Sequence, residues 1–154
     1  DGTYLLMVVI VVATGSLLAS LLSEGAADST NFQRLLGLCD SIGLSTFTII
    51  GAQVALEADL NWWWMVICAA LTCAGGGILL DVVTGREPRT FQGEPYEEIA
   101  VLGALVLIGG LMIADRFETL QWPVLAAMVV SWSTVFISRQ LVIRNDLRSW
   151  RPGL

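Results

Sequence analysis

The sequence predicts an all-α integral membrane protein with five transmembrane helices, and three observations support this prediction. The mean hydropathy is +0.72, and 55% of the 154 residues are hydrophobic, which is more apolar surface than a soluble domain of this size could bury. Five continuous apolar runs are each about long enough to cross a bilayer. The arginines fall almost entirely on one side of these runs, which is typical of a membrane protein with a fixed orientation.

The five apolar runs follow one another with polar connections. We name them segments A to E, and they cover about residues 3–23, 35–56, 62–84, 99–114 and 122–143. Each run is continuous rather than alternating, which is typical of a membrane helix and not of a membrane strand. Segment D is the shortest and can extend at its start into residues 96–98. The chain is therefore predicted to form a single transmembrane domain over residues 1–154.

The arginine positions predict the orientation of the chain. With five spans, the A–B connection, the C–D connection and the C-terminus share one side. That side carries Arg34, Arg86, Arg89, Arg144, Arg148 and Arg151, and Arg139 lies close to it. The opposite side carries Arg116. Because basic loops remain cytoplasmic, the C-terminus is expected on the cytoplasmic side or on the equivalent face of an organelle membrane.

Composition also excludes several classes of function. The formal net charge is −6, so the basic footprint of a nucleic-acid-binding protein is absent. Histidine and lysine are both absent, which excludes imidazole metal sites, histidine acid–base catalysis and Schiff-base chemistry. The three cysteines lie in apolar runs and are interpreted as small packing residues. We therefore expect no enzyme activity, no metal and no cofactor, while membrane lipid is an expected partner.

Polar and glycine residues inside the spans concentrate in segments B and C. The residues predicted to line a pore or substrate path are Asp40, Gly43, Ser45, Thr48, Gly51, Gln53, Gly75, Gly76, Gly77 and Asp81. Segments B and C run antiparallel, so both aspartates are expected at the arginine-rich end, where they would face a bundle interior or a wet cavity. Three consecutive glycines weaken a helix, so segment C is predicted to break at Gly75–Gly77 and to turn carbonyl groups toward that cavity.

Simpler interpretations of the same residues stay open. Glycines in membrane helices most often mark packing contacts between helices. Asp81 could pair with Arg86 or Arg89 at the membrane interface, and Asp40 could cap the start of its helix. Hydroxyl groups in the middle of a span often bond only their own backbone.

Three sequence runs, in order, carry a resemblance to a known family. They resemble the second repeat of the bacterial glycine-transporter domain family, and they read DSIGLSTFTIIGAQVAL, CAGGGILLDVVTGREP and PYEEIAVLGALV. Members of this family are relatives of the trimeric intracellular cation channels. The likeness covers about residues 38–111. The matching residues are Asp40, Gly43, Leu44, Gly75, Gly76, Gly77, Asp81, Gly85, Arg86, Glu87, Pro88 and Tyr96.

The resemblance implies a fold of two inverted three-helix repeats followed by a closing helix. Segment A would be the last helix of the first repeat, segments B to D the second repeat, and segment E the closing helix. The first two helices of the family have no counterpart in this sequence.

Two basic residues of the family pattern are replaced in this chain. Leu80 stands where relatives carry an arginine before the aspartate, and Val54 stands where a lysine often follows Gly–Ala–Gln. The predicted path is therefore expected to hold acids without a partner cation. Such a path would either attract cations more strongly or no longer be selected for permeation.

The resemblance implies a multi-pass permeation module for monovalent cations or for a small zwitterion such as glycine, assembled as a homotrimer with one pore per protomer. Asp40 and Asp81 would concentrate cations at the cytoplasmic mouth, and Gly75–Gly77 would supply carbonyl groups and a hinge. The side chains lining the path would be those of Gln53, Ser45 and Thr48. The alternative is a non-catalytic structural subunit of a larger photosynthetic or respiratory membrane complex, with hetero-subunits as partners and pigments as cofactors in the photosynthetic case.

Overall fold

The computed structural model describes residues 30–83, 85, 95–116, 122–145 and 147, together with residues 2, 3, 6, 7, 9, 10, 13 and 14 near the start. The chain divides into two compact units, Asp1–Gly37 and Leu38–Leu154. Near the start of the first unit, every described residue is helical. The rest of predicted segment A lies outside the described residues.

Four α-helices have bounds within the described part of the chain: α1 (Thr30–Glu57), α2 (Trp62–Val83), α3 (Glu97–Ala114) and α4 (Trp122–Asn145). They correspond to predicted segments B to E. The start of α3 at Glu97 is the extension that the short segment D suggested. The described residues contain helices and no strand, which confirms the all-helical fold class.

Helix α2 corrects the predicted break in segment C. It runs as one α-helix from Trp62 to Val83, and Gly75–Gly77 are helical like their neighbours. The propensity cost of glycine is measured against a backbone that water can solvate. In a lipid environment the backbone groups must bond within the helix, so an apolar helix tolerates the glycines without opening.

Helix α1 buries a face of small and polar side chains. Its buried residues recur three or four positions apart, which places them on one side of the helix: Ser41, Leu44, Ser45, Thr48, Gly51, Ala52 and Ala55. Gly51 sets the approach of α2, since a methyl group there would lie 2.6 Å from the Cys68 carbonyl oxygen and 2.7 Å from Ala69 Cα. Small residues of this kind let two membrane helices approach closely.

Helix α4 packs its buried residues in one row at intervals of four: Ala127, Ser131, Val135 and Arg139. This row packs against two glycines of α3, Gly103 and Gly110. A methyl group at Gly110 would lie 2.5 Å from the Ala127 side chain, and one at Gly103 would overlap Val135. The Ser131 hydroxyl also donates a hydrogen bond to the Gly103 carbonyl oxygen at 2.7 Å. The α3–α4 contact therefore depends on the absence of side chains at these two glycines.

The outer surface of the helices is apolar. Large side chains stand exposed along α2, among them Leu71 at 65% and Val83 at 76% exposure. Three helical segments are long and apolar enough to cross a membrane, namely Arg34–Glu57, α3 and α4, and α2 adds the apolar stretch Trp62–Gly76. Because lipid, unlike water, is a good solvent for such side chains, the exposed surface is the one expected of a membrane-embedded bundle.

Candidate functional site

Three helices bring an aspartate, a tyrosine and an arginine together at one end of the bundle. The Tyr96 hydroxyl, just before α3, lies 2.8 Å from both carboxylate oxygens of Asp40 in α1 and donates its hydrogen to them. The Arg139 Nε of α4 donates to Asp40 Oδ2 at 3.1 Å. We name these three residues the polar cluster. It ties α1, the start of α3 and the end of α4 to one carboxylate.

The arginine of the polar cluster is held from two directions. Its guanidinium carbon lies 4.1 Å from the centre of the Tyr96 ring, a cation–π geometry. The Arg139 side chain is only 6% exposed, whereas that of Asp40 is 36% exposed. A buried guanidinium is costly unless it is paired, so Asp40 and the Tyr96 ring together account for its position. The carboxylate is the more accessible partner and faces the end of the bundle.

A second polar pair lies one residue further along both helices. Gln140 Nε2 donates to the Ser41 hydroxyl at 2.7 Å, and Ser41 is fully buried. Consecutive residues of α1 therefore meet consecutive residues of α4. An apolar layer of Leu44, Ile99 and Val135 packs directly beside these pairs.

Two further hydroxyl groups, those of Ser45 and Thr48, lie on the buried face of α1. Ser45 donates to the Ser41 carbonyl oxygen at 2.7 Å, and Thr48 donates to that of Leu44 at 2.8 Å. The Thr48 hydroxyl also lies 3.3 Å from the sulfur of Cys73 in α2. Both hydroxyls are fully buried and follow the interpretation in which such groups bond their own backbone. We name Ser45 and Thr48 the polar column.

The other residues of the predicted path take different positions. Gly51 is buried against α2, while Gly43 and Gln53 are half-buried on α1. Gly75 is half-buried and Gly76 exposed, and a methyl group at either would find open space among the described atoms. The side chain of Asp81 and the surroundings of Gly77 lie outside the described residues. The structure thus buries Ser45 and Thr48 and leaves Asp40 partly exposed. Gly75 and Gly76 of α2 contact neither group closely, since a methyl group at either would meet no described atom within 4 Å.

The expectation that acids of the path lack a partner cation is wrong for Asp40. Its partner is Arg139, which comes from the closing helix and not from the replaced positions Leu80 and Val54. The sequence carried a signal for this pair, since Arg139 lies inside predicted segment E, and a charge within a span usually has a partner. Because Arg139 lies near the arginine-rich end of the spans, it was interpreted as evidence for the orientation of the chain and not as half of an ion pair.

The polar cluster offers a partly exposed carboxylate, Asp40, that can bind a small polar species. Among the described residues, no group of three or more cysteine, aspartate or glutamate side chains could hold a metal ion. The polar cluster joins one positive side chain, Arg139, to one negative side chain, Asp40. A carboxylate that accepts hydrogen bonds from Tyr96 and Arg139 still has oxygen lone pairs left for a further donor. That donor could be a cation, a water molecule or an ammonium group.

Comparison with known proteins places this site in a family context. Residues 37–112 match the family described as glycine transporter. The UPF0126 membrane protein YvgT of Bacillus subtilis is 34% identical over 70 residues, which are 46% of this chain and 35% of YvgT. The UPF0126 inner membrane protein YadS of Escherichia coli K12 is 27% identical over 114 residues, which are 74% of this chain and 52% of YadS.

A solved structure of a TRIC cation channel matches the fold. It is 27% identical with a TM-score of 0.72, and the match covers 90% of this chain and 64% of that one. The chain thus spans between about a third and two thirds of the proteins that it matches. It is an integral membrane protein in which residues 37–112 match the glycine transporter family, and its fold is similar to that of a TRIC cation channel.

Proposed function

We propose that the chain is a permeation module for small monovalent cations or for a small zwitterion such as glycine. The observation that carries this proposal is the charged pair of Asp40 and Arg139 between membrane-spanning helices. Ionisable groups within a span are costly, and where they occur they most often mark ion or substrate pathways. The named activity of the TRIC relative, cation conductance, is of the same kind.

The polar column supports a path that continues inward from the pair. Ser45 and Thr48 place hydroxyl oxygens along α1 at intervals of about one helical turn. A permeating ion needs a succession of weak oxygen ligands rather than one strong site. The apolar layer of Leu44, Ile99 and Val135 would form the narrow part of this path. An apolar constriction of this type blocks ions by excluding water until its side chains separate.

Three further features are part of the proposal. The C-terminal end, where the polar cluster lies, would be cytoplasmic, because most arginines of the sequence are on that side. The working assembly would be a homotrimer, as the resemblance to trimeric channels implies. The chain would act without a bound cofactor, with lipid as its partner.

Reconstitution of the 154-residue chain into liposomes tests the proposal directly. We expect flux of potassium or of labelled glycine down a gradient. Thr48→Val should reduce it severalfold, because the substitution removes a buried hydroxyl from the path. Thr134→Val is the matched control, since its hydroxyl bonds its own backbone in the same way but lies outside the core. Absence of flux of either species from folded protein, at any potential, would sink the proposal.

The second candidate is a non-catalytic structural subunit of a larger membrane complex. The close packing of the core favours it, since Ser41, Ser45 and Thr48 are each fully buried. Purification under mild detergent distinguishes the two. Co-purification with unrelated membrane subunits or pigments supports the structural role, whereas a homogeneous homo-oligomer with flux supports permeation.

A further inference from the structure

We propose that Arg139 is a specificity-determining residue, which sets the charge preference of the entrance by neutralising Asp40. This inference rests on the proposed function and deepens it. Sequence reasoning assigned the attraction of cations to the aspartates alone. The structure pairs Asp40 with a buried guanidinium at 3.1 Å, so the entrance carries a dipole rather than an unpaired negative charge.

The position of Arg139 keeps its guanidinium beside the Asp40 carboxylate, so the negative charge of Asp40 stays neutralised. Its stem occupies the last place in the buried row of α4, and the Tyr96 ring covers its guanidinium at 4.1 Å. Buried arginine stays protonated, so its charge does not vanish within the physiological pH range. Asp40 in turn is oriented by the Tyr96 hydroxyl at 2.8 Å. Charge and geometry are therefore both fixed at this end of the bundle.

Other charged groups at the same end are placed to have less effect. Glu97 and Glu98 lie in the first turn of α3, and Arg144 lies in the last turn of α4. Glu98 and Arg144 are exposed, so water and salt screen them over a Debye length of about 8 Å. The buried Arg139 is screened much less. Breaking the pair therefore changes the charge at the entrance by one unit that solvent screens little, while the half-buried Glu97 is the same in every variant compared.

We expect substitutions of Arg139 and of Asp40 to shift the charge preference of the entrance in opposite directions. Arg139→Gln leaves one negative charge at the entrance, and Asp40→Asn leaves one positive charge, while both replacement amides can still form hydrogen bonds. The double variant restores neutrality. Arg139→Lys keeps the charge but loses the planar guanidinium, so it separates an effect of charge from an effect of shape.

The first measurement is the reversal potential of reconstituted protein under a potassium chloride gradient. The permeability ratio of potassium to chloride should rise about threefold to tenfold in Arg139→Gln, as a single unit charge near a partly solvated surface produces. It should fall by a similar factor in Asp40→Asn. The double variant and Arg139→Lys should both stay close to the original chain. A simple loss of packing would change the amount of current and not the sign of these shifts.

The second measurement does not depend on conduction. Cys39 is exposed and directly precedes Asp40, so its thiol reports the local potential. In a Cys68→Ala, Cys73→Ser background, we compare its reaction rates with cationic and anionic methanethiosulfonates of equal size. The ratio of the cationic to the anionic rate should rise severalfold in Arg139→Gln and fall in Asp40→Asn, with the double variant unchanged. Where one single variant folds poorly, the other carries the test with the opposite sign.

The outcomes separate this inference from the proposed function. An unchanged rate ratio at Cys39 in folded single variants overturns the role of Arg139, whether or not current flows. Current with an unchanged reversal potential overturns it as well. A shifted rate ratio without current in any variant supports the neutralisation by Arg139 and counts against permeation itself.

Discussion

The polar end of the bundle and its small-residue middle hold the same helices together in different ways. At the polar end, Asp40, Tyr96 and Arg139 meet through hydrogen bonds of 2.8 to 3.1 Å. In the middle, Gly51 and Gly103 let neighbouring helices approach until no space remains for a methyl group. The first contact selects partners by charge, and the second selects them by volume. In lipid, where apolar burial gives little preference between helices, both are required.

The comparison explains which glycines are structural. Gly51 and Gly103 lie where helices touch, whereas Gly75 and Gly109 lie where a methyl group would meet nothing among the described atoms. Gly75 and Gly76, two of the three glycines for which a broken helix was predicted, are thus not sites of close helix contact among the described atoms. Substitutions at matched pairs of glycines can test this difference.

The largest loss of stability is expected for Gly51→Ala. The new methyl group would press on backbone atoms of Cys68 and Ala69, which cannot move aside as a side chain can. We expect a loss of about 3 kcal/mol, at the upper end of the usual cost of overpacking. Thermal unfolding in detergent measures it. Gly75→Ala is the control and should be neutral or stabilising by about 0.5 to 1 kcal/mol. Equal behaviour of the two variants would contradict the packing role of Gly51.

A somewhat smaller loss is expected for Asp40→Ala. The substitution leaves the buried Arg139 without its carboxylate, and the expected cost is about 2 kcal/mol because Asp40 itself is partly exposed. The double variant Asp40→Ala, Arg139→Met should be less destabilised than the single one. Asn145→Ala near the same end is the control, since its exposed side chain bonds only its own helix at Leu141. A single and a double variant of equal stability would argue against a buried ion pair.

Gly103→Ala should cost about 1 to 2 kcal/mol. The methyl group would overlap the buried Val135 side chain, which can yield by rotating or by moving α4 away from α3, so the cost is smaller than at Gly51. Gly109→Ala on the same helix meets open space and should gain slightly through helix propensity. The difference between their unfolding midpoints is the measurement, and a difference near zero would show that α3 and α4 are less closely packed than described.

The smallest effect is expected for Tyr96→Phe. It removes the hydroxyl that donates to Asp40 but keeps the aromatic ring over Arg139. The expected loss is about 1 kcal/mol, because the roughly 1.5 to 3 kcal/mol of a hydrogen bond to a charged group is reduced where the carboxylate is partly exposed. Tyr96→Leu removes the ring as well and should cost more. If both variants lost the same stability, the hydroxyl rather than the ring would be the whole contribution of Tyr96.

Most of the fold followed from the sequence because the helices are long, apolar and separated by polar connections. The start and end of α2 at Trp62 and Val83 agree with the predicted segment. The break at Gly75–Gly77 was wrong because local propensity was weighed without the lipid environment, which enforces backbone hydrogen bonding. The arrangement of the site was harder to predict. Whether Arg139 faces α1 or lipid depends on the rotation of α4, and its weak amphipathic pattern does not determine that rotation.

The two neighbouring polar pairs also have a consequence for how the bundle assembles. Asp40 meets Arg139 and Ser41 meets Gln140, so two successive positions on each helix must match at once. Successive residues of a helix are separated by about 100° of rotation and 1.5 Å of rise. A one-residue slip of α4 would therefore break both pairs and leave a charge in lipid. The two pairs therefore fix the register of α4 against α1. The loops between helices can change in length, but the helical stretches between these pairs and the glycine contacts cannot gain or lose a residue.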